Sequence, residues 1–239
     1  MCRMIAVIGK NEKVNSYIDE MKNQALNGRH KEHGDGYGIS YFRNGSLHTR
    51  KESCAIWERK NIYTDEDFGN IIFLHARKAG LGKVDLNNVH PFSSVVDEKT
   101  FIFMHNGTVS DIKKMGMRLK QLNNDSITDS QICFEIFQNK YQLCNDIEKS
   151  LKITIEEIAK NCEDISALNI AISDGEKLVV SRCFFDMEEY YEIFYRTDDN
   201  TTVVSTEKFG DYSDWVLLEN KNIYVFETDK NIKKLDINI

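Results

Sequence analysis

The chain has 239 residues, 41% of them hydrophobic and 29% charged, with a net charge of −7. This is enough apolar material for one large domain or two small ones, while no apolar run approaches the roughly 20 residues of a membrane span. The acidic balance argues against nonspecific binding to nucleic acid, and six cysteines without CxxC spacing read as free thiols of a reducing compartment.

Arg3–Gly9 reads as a strand. It is too short, and too soon followed by Lys10-Asn11-Glu12-Lys13, to be a signal peptide, so a cytoplasmic location is expected. Val14, Tyr17, Ile18, Met21 and Ala25 recur at helical spacing and predict an amphipathic helix over roughly Lys13–Asn27. A polar loop, Gly28–Gly36, follows. Tyr37–Phe42 and Ser46–Lys51 flank Asn44-Gly45, a strong hairpin signal. Asn70–Ala76 and Thr100–His105 are apolar strands. Between them Lys78–Glu98 reads as one long irregular stretch, of the kind that often carries function.

Ser110 is a candidate cap for a helix through Leu122. Asp129 or Ser130 is a candidate cap for a second helix carrying Ile132, Phe134, Ile136 and Phe137. Ile147–Asn161 is a third. Then come Ala167–Ser173 and Lys177–Cys183, joined by Asp174-Gly175, and Tyr191–Thr197, Thr202–Ser205, Asp214–Leu218 and Ile223–Thr228, about ten strands in all. Hairpins with clustered helices predict α+β layers rather than an alternating parallel sheet. With a single proline and no repeat or linker, residues 1–239 read as one domain.

The chemistry centres on Cys2. Once Met1 is removed, one residue carries a thiol and a free α-amine, whose reference pKa values are about 8.5 and about 7.7–8.0. The amine can take the thiol proton, an arrangement known to activate a nucleophile. Retention of Met1 would acylate that amine. The plainer alternative is a buried cysteine at the head of a strand.

Downstream, polar patches fall at strand ends or in loops: His33-Gly34-Asp35-Gly36-Tyr37-Gly38, His75-Ala76-Arg77, His90-Pro91-Phe92, His105-Asn106-Gly107 and Thr128-Asp129-Ser130. Arg77 is either a surface residue or a bidentate fork for a carboxylate. Asn106-Gly107 is either a hairpin turn or an oxyanion hole made of a side-chain amide and a peptide N–H. Asp129 is a good helix cap that can also face an ammonium. His33, Asp35, His75, His90 and His105 are conceivable metal ligands, but none has a recognised ligand spacing. Neither a metal nor another cofactor is expected, and no phosphate-binding glycine loop is present.

Taken together, these patches resemble the class II glutamine amidotransferases, a branch of the N-terminal-nucleophile hydrolases. The resemblance runs through Met1-Cys2, Asp35-Gly36-Tyr37-Gly38-Ile39, His75-x-Arg77, Asn88-x-His90-Pro91-Phe92, His105-Asn106-Gly107 and Thr128-Asp129-Ser130. Val204-Ser205-Thr206-Glu207 adds a fainter match. It is strongest to the free-standing, glutaminase-only members. It departs after Arg77, where Lys78-Ala79-Gly80 replaces the family's aromatic-Ala-Thr.

The resemblance implies a four-layer αββα sandwich. It implies Cys2 as nucleophile, Asn106 and Gly107 as the oxyanion hole, and Arg77, Asp129 and His90 in the substrate site, with Arg77 on the α-carboxylate and Asp129 on the α-amine. The implied substrate is glutamine or another γ-glutamyl compound. A separate synthase subunit, a homo-oligomer and a free-standing hydrolase all remain open. So does a catalytically silent binding or regulatory subunit of the same fold and, further off, a His/Asp metal-dependent hydrolase.

Overall fold

Strand β1 (Arg3–Gly9) is buried along its whole length, because both of its faces are covered. Ile5 and Val7 pack toward one helix layer, while Met4, Ala6 and Ile8 pack toward a second sheet. The period of two along the strand thus serves two cores at once. The computed structural model of the chain describes residues 2–10, 14–30, 32–60, 62, 69–79, 85–115, 127–198 and 201–239.

β1 is central to a seven-stranded antiparallel sheet with the order β11-β9-β10-β1-β4-β2-β3. Its other members are β2 (Tyr37–Arg43), β3 (Ser46–Glu52), β4 (Ile71–Ala76), β9 (Phe194–Thr197), β10 (Thr201–Ser205) and β11 (Val216–Leu217). The second sheet has six strands in the order β13-β12-β8-β7-β6-β5. These are β5 (Phe92–Val96), β6 (Lys99–Asn106), β7 (Asn169–Ser173), β8 (Leu178–Arg182), β12 (Asn222–Phe226) and β13 (Ile232–Asp236).

Helix α1 (Val14–Asn27) covers the outer face of the first sheet through Tyr17, Ile18 and Met21. Helices α2 (Asp129–Cys144) and α3 (Ile147–Asn161) cover the second through Phe134, Phe137, Leu151 and Ile155. Between the sheets lies a third apolar layer, with Phe73 from one and Ile102, Met104 and Phe226 from the other. The architecture is therefore a four-layer αββα sandwich. Among the described residues no helix is long and apolar enough to cross a membrane.

Several elements differ from the sequence reading. The stretch Lys78–Glu98 is not uniformly irregular: it holds a 3₁₀ turn, Leu86–Asn88, and edge strand β5, which pairs with β6. Ser93 and Ser94 interrupt the apolar run that would have marked that strand. β13 was also unread, because its sequence Ile-Lys-Lys-Leu-Asp is mostly exposed, as suits a charged edge. The described residues form thirteen strands rather than about ten.

The cap of α2 is Thr128, neither Asp129 nor Ser130: it forms a reciprocal capping box with Gln131. After Ser110 the described chain makes only a 3₁₀ turn, Ile112–Lys114. The rest of the helix expected there, residues 116–122, lies outside the described residues. Residues 188–191, expected partly in β9, form a 3₁₀ turn instead.

The start of β2 is clamped by the end of β3. The Glu52 carboxylate accepts from the Tyr37 hydroxyl at 2.7 Å and from Arg50 Nε–H at 3.0 Å, and it pairs with Arg59 at 2.5 Å. Desolvation opposes ionisation, but the hydrogen bonds from Tyr37 and Arg50 and the charges of Arg50 and Arg59 outweigh it, holding Glu52 at about 2 against an ordinary 4.5. A carboxyl depressed in the folded state stabilises fully above its unfolded value and loses that contribution as pH falls through the folded one. Glu52→Gln should therefore lower the urea midpoint at neutral pH and flatten its fall between about pH 4.5 and about pH 2. An acid limb as steep as wild type would show that the clamp contributes nothing.

Candidate active site

Cys2 immediately precedes β1 and is half-buried. Its thiol lies against the peptide of Lys78: the Lys78 N–H donates to Sγ at 3.3 Å, and Sγ lies 3.6 Å from the Lys78 carbonyl. Its own carbonyl accepts a hydrogen bond from Asn106 Nδ2 at 2.8 Å. Desolvation pushes the thiol above its ordinary range, against the Lys78 N–H and the positive charges of Arg77 and Arg3. A thiol so placed needs a base before it can act as a nucleophile.

Arg77 is no surface residue: it is 7% exposed. Its backbone is clipped to the Asp35-Gly36 turn, Arg77 N–H donating to Gly36 O at 2.8 Å and Asp35 N–H to Arg77 O at 3.0 Å. The Asp35 carboxylate accepts the Ala79 N–H at 2.8 Å, so it shapes the loop that holds the thiol. Two positions farther on, Gly38 lets β2 approach the 89–91 segment: a Cβ there would lie 2.1 Å from His90 O. The His90–Pro91 peptide is cis.

His90 is buried between the rings of His75 and Phe92, with centroids 4.6 and 4.3 Å away. Among the described residues, neither nitrogen of His75 or of His90 has a hydrogen-bond partner. Desolvation, then the charge of Arg77, pushes His75 down to about 3, while desolvation and His75 push His90 well below its ordinary value. Both rings are neutral at physiological pH.

Asn106 ends β6, and Gly107 turns the chain with φ +155°, where an added Cβ would meet Ala167 O at 1.9 Å. His105 fastens this corner to its surroundings. Nε2 is 3.1 Å from Ala167 O and Nδ1 is 2.9 Å from Ser130 Oγ. A carbonyl only accepts, so Nε2 carries the proton and Nδ1 accepts from Ser130. Asp129, at the first position of α2, accepts the Val109 N–H at 2.9 Å and the Ser130 N–H at 2.8 Å. It therefore braces the chain just past the Asn106-Gly107 corner.

The structure thus joins Cys2 directly to Asn106, sets Arg77 next to the peptide that holds the thiol, and ties Asp129 to the Val109 end of the 106–109 turn. His90 lies in the buried ring stack. Met1 lies outside the described residues. His105, one of the conceivable metal ligands, has both ring nitrogens committed to the corner.

A second set of charges escaped the sequence reading. Arg3 is 0% exposed. It pairs with Glu207 at 2.5 Å and also donates to the Arg29 carbonyl. Arg29 N–H donates to the same carboxylate at 2.7 Å, and its guanidinium pairs with Glu192 at 2.6 Å. Thr206 pairs with Met4 through both its hydroxyl and its N–H. The segment 204–207 therefore holds the start of β1, and so Cys2, in place. The available signal was an arginine at the head of an apolar strand, which if buried demands a carboxylate. Glu207→Ala should leave that guanidinium unpaired and cost about 3–5 kcal/mol in urea denaturation. Arg3→Met combined with Glu207→Gln should recover most of the loss; no recovery would show that the pair is not the cause.

A sequence profile described as glutamine amidotransferases class-II matches residues 1–188. A probable glutamine amidotransferase of Saccharomyces cerevisiae is 26% identical over 66% of this chain and 53% of its own. The glutamine phosphoribosylpyrophosphate amidotransferase of Bacillus subtilis superposes with a TM-score of 0.72 at 15% identity, over 100% of this chain and 50% of the other. A glutamine aminotransferase class-II domain protein from Silicibacter pomeroyi superposes with a TM-score of 0.68 at 17% identity, over 99% of this chain and 98% of the other. The chain thus spans about half the length of the first two and nearly all of the third.

Proposed function

This chain belongs to the class-II glutamine amidotransferases, and we propose that within that family it acts as an amidohydrolase whose nucleophile is the thiol of Cys2. The observation that best supports this reading is the Asn106–Cys2 hydrogen bond of 2.8 Å, which sets a cysteine thiol beside a corner able to present an amide N–H and a peptide N–H. Loss of Met1 frees the Cys2 α-amine, which takes the thiol proton. The thiolate attacks the side-chain carbonyl of glutamine or of a γ-glutamyl amide. Asn106 Nδ2 and Gly107 N–H receive the developing negative charge. Collapse of the tetrahedral adduct breaks the C–N bond, and the amine leaves with the proton. A thioester remains; water cleaves it to glutamate and restores the thiol.

At the amino-acid end, Arg77 holds the α-carboxylate and Asp129 the α-ammonium, with His90 lining the site as a neutral ring. We read residues 1–239 as one such domain, since strands beyond the family match complete both sheets. β9, β10 and β11 belong to the first and β12 and β13 to the second. The ammonia either passes to a separate synthase subunit or is released.

The test is a screen of γ-glutamyl amides with Met1-free protein, reading glutamate. Turnover is expected, and Cys2→Ala should abolish it without altering the melting curve. Arg77→Lys keeps the charge but loses the planar fork, so kcat/KM should fall about ten- to a hundredfold, the worth of a charge-assisted hydrogen bond. Asp129→Asn should cost a similar factor that disappears on substrates lacking the α-amine. An equal loss on both would make Asp129 a brace for Val109 and nothing more. No glutamate from any amide would overturn the reading.

A further inference from the structure

The Asn106-Gly107 corner has an unusual weakness: glycine has no side chain to restrict it, so the direction of its N–H depends on how the next residue is held. Thr108 is held by Ser166, whose hydroxyl accepts the Thr108 N–H at 2.9 Å and whose own N–H donates to Thr108 O at 2.9 Å. Ser166 is oriented in turn by Tyr191, whose hydroxyl donates to Ser166 Oγ at 2.7 Å.

Tyr191 is itself fixed. It is 4% exposed. Its carbonyl accepts from Asn169 Nδ2 at 3.0 Å and from Arg182 Nε at 3.2 Å. Its ring meets Tyr190 edge-on at 5.0 Å. Asn169 is the register partner of Asn106 across β6 and β7. The connections therefore close a loop around the corner, from Asn106 through Asn169, Tyr191 and Ser166 to Thr108. Tyr191 lies beyond residue 188, where the family match ends.

We propose that Tyr191 is a positioning residue for the oxyanion hole: through Ser166 it fixes the Thr108 peptide and thereby aims the Gly107 N–H. The proposal rests on the reading of Asn106 and Gly107 given above. Tyr191 acts through Ser166 and makes no contact with substrate. A donor that is misaimed weakens transition-state binding more than ground-state binding.

The test compares Tyr191→Phe, which keeps the ring and removes only the hydroxyl, with Ser166→Ala and the double variant. In Tyr191→Phe, kcat for glutamate release should fall about ten- to a hundredfold with KM within about twofold. Ser166→Ala should match it, and the double variant should be no worse than either. Alkylation of Cys2 by iodoacetamide, which develops no oxyanion, should keep its rate. Hydrogen exchange at the Thr108 amide should speed up about tenfold while strand amides stay protected.

Additive losses, a fall confined to the fraction of folded protein, or unchanged exchange at Thr108 would each overturn the proposal. If wild-type protein releases no glutamate, it is the reading of Cys2 that fails. The exchange arm then decides whether Tyr191 holds the corner: faster exchange upholds its positioning role, and unchanged exchange refutes it.

Discussion

The hydrogen bond from Asn106 to the Cys2 carbonyl crosses from one sheet of the sandwich to the other. Cys2 heads β1 in the seven-stranded sheet, and Asn106 ends β6 in the six-stranded one. Neither sheet carries the site alone. Its geometry depends on the apolar layer that sets the distance and register between them, where Met4, Ala6 and Phe73 meet Ile102, Met104 and Ala171. Asn106 shares the parity of Ile102 and Met104 on β6, while His105 shares that of Phe101 and Phe103, which pack under the helices. A slip of one residue would exchange the two faces. The pattern that buries the core therefore also decides which polar side chain meets Cys2.

This coupling explains why much of the molecule was legible in the sequence. β1, α3 and the hairpin at Asn44-Gly45 follow from local rules: apolar alternation, helical spacing, and a turn whose residues accept positive φ, 49° at Asn44 and 74° at Gly45. The polar patches stand out in the sequence because they fall at element ends: Arg77 follows β4, Asn106 ends β6 and Asp129 opens α2, while Cys2 and His90 stand just before β1 and β5. What stayed hidden depends on contacts between residues far apart in the chain. Strand β5 is defined by pairing with β6 more than by its own residues. The partner of Arg3 stands at position 207, and nothing local links the two. Tyr191 looked like the start of a strand; its hydroxyl gains meaning only once Ser166 is seen to carry Thr108.

Arg3 shows how the ends of the chain cooperate. A buried guanidinium is costly unless paired and hydrogen-bonded. Here the carboxylate arrives with β10, the neighbour of β1, whose register places Ser205 opposite Ile5. Glu207 thus reaches the head of β1 because of strand pairing. It then accepts from Arg29, in the loop after α1, whose next residue gives its carbonyl to the Lys78 ammonium at 2.6 Å. The loop bearing Lys78, which contacts the thiol, is in this way tied to the same charge network. The placement of Cys2 thus depends on residues that have no part in the proposed chemistry.

The remaining question is what could take the proton from the thiol. Efficient general bases have pKa values near the working pH. Burial removes the site's imidazoles from that range: His75 is held at about 3 and His90 well below its ordinary value, desolvation being the largest cause for both. His105 is likewise lowered by desolvation, against the pull of Asp129, and its ring is committed to Ser130 and Ala167. His75 and His90 pack as rings with no hydrogen-bond partner among the described residues, His105 is a hydrogen-bonding group, and the positive charges acting on the thiol include those of Arg77 and Arg3. An α-amine has an intrinsic pKa of about 7.7–8.0, near the working range, and on Cys2 it would be carried by the same residue as the thiol. In the mechanism proposed above, the base is supplied by the residue that carries the thiol.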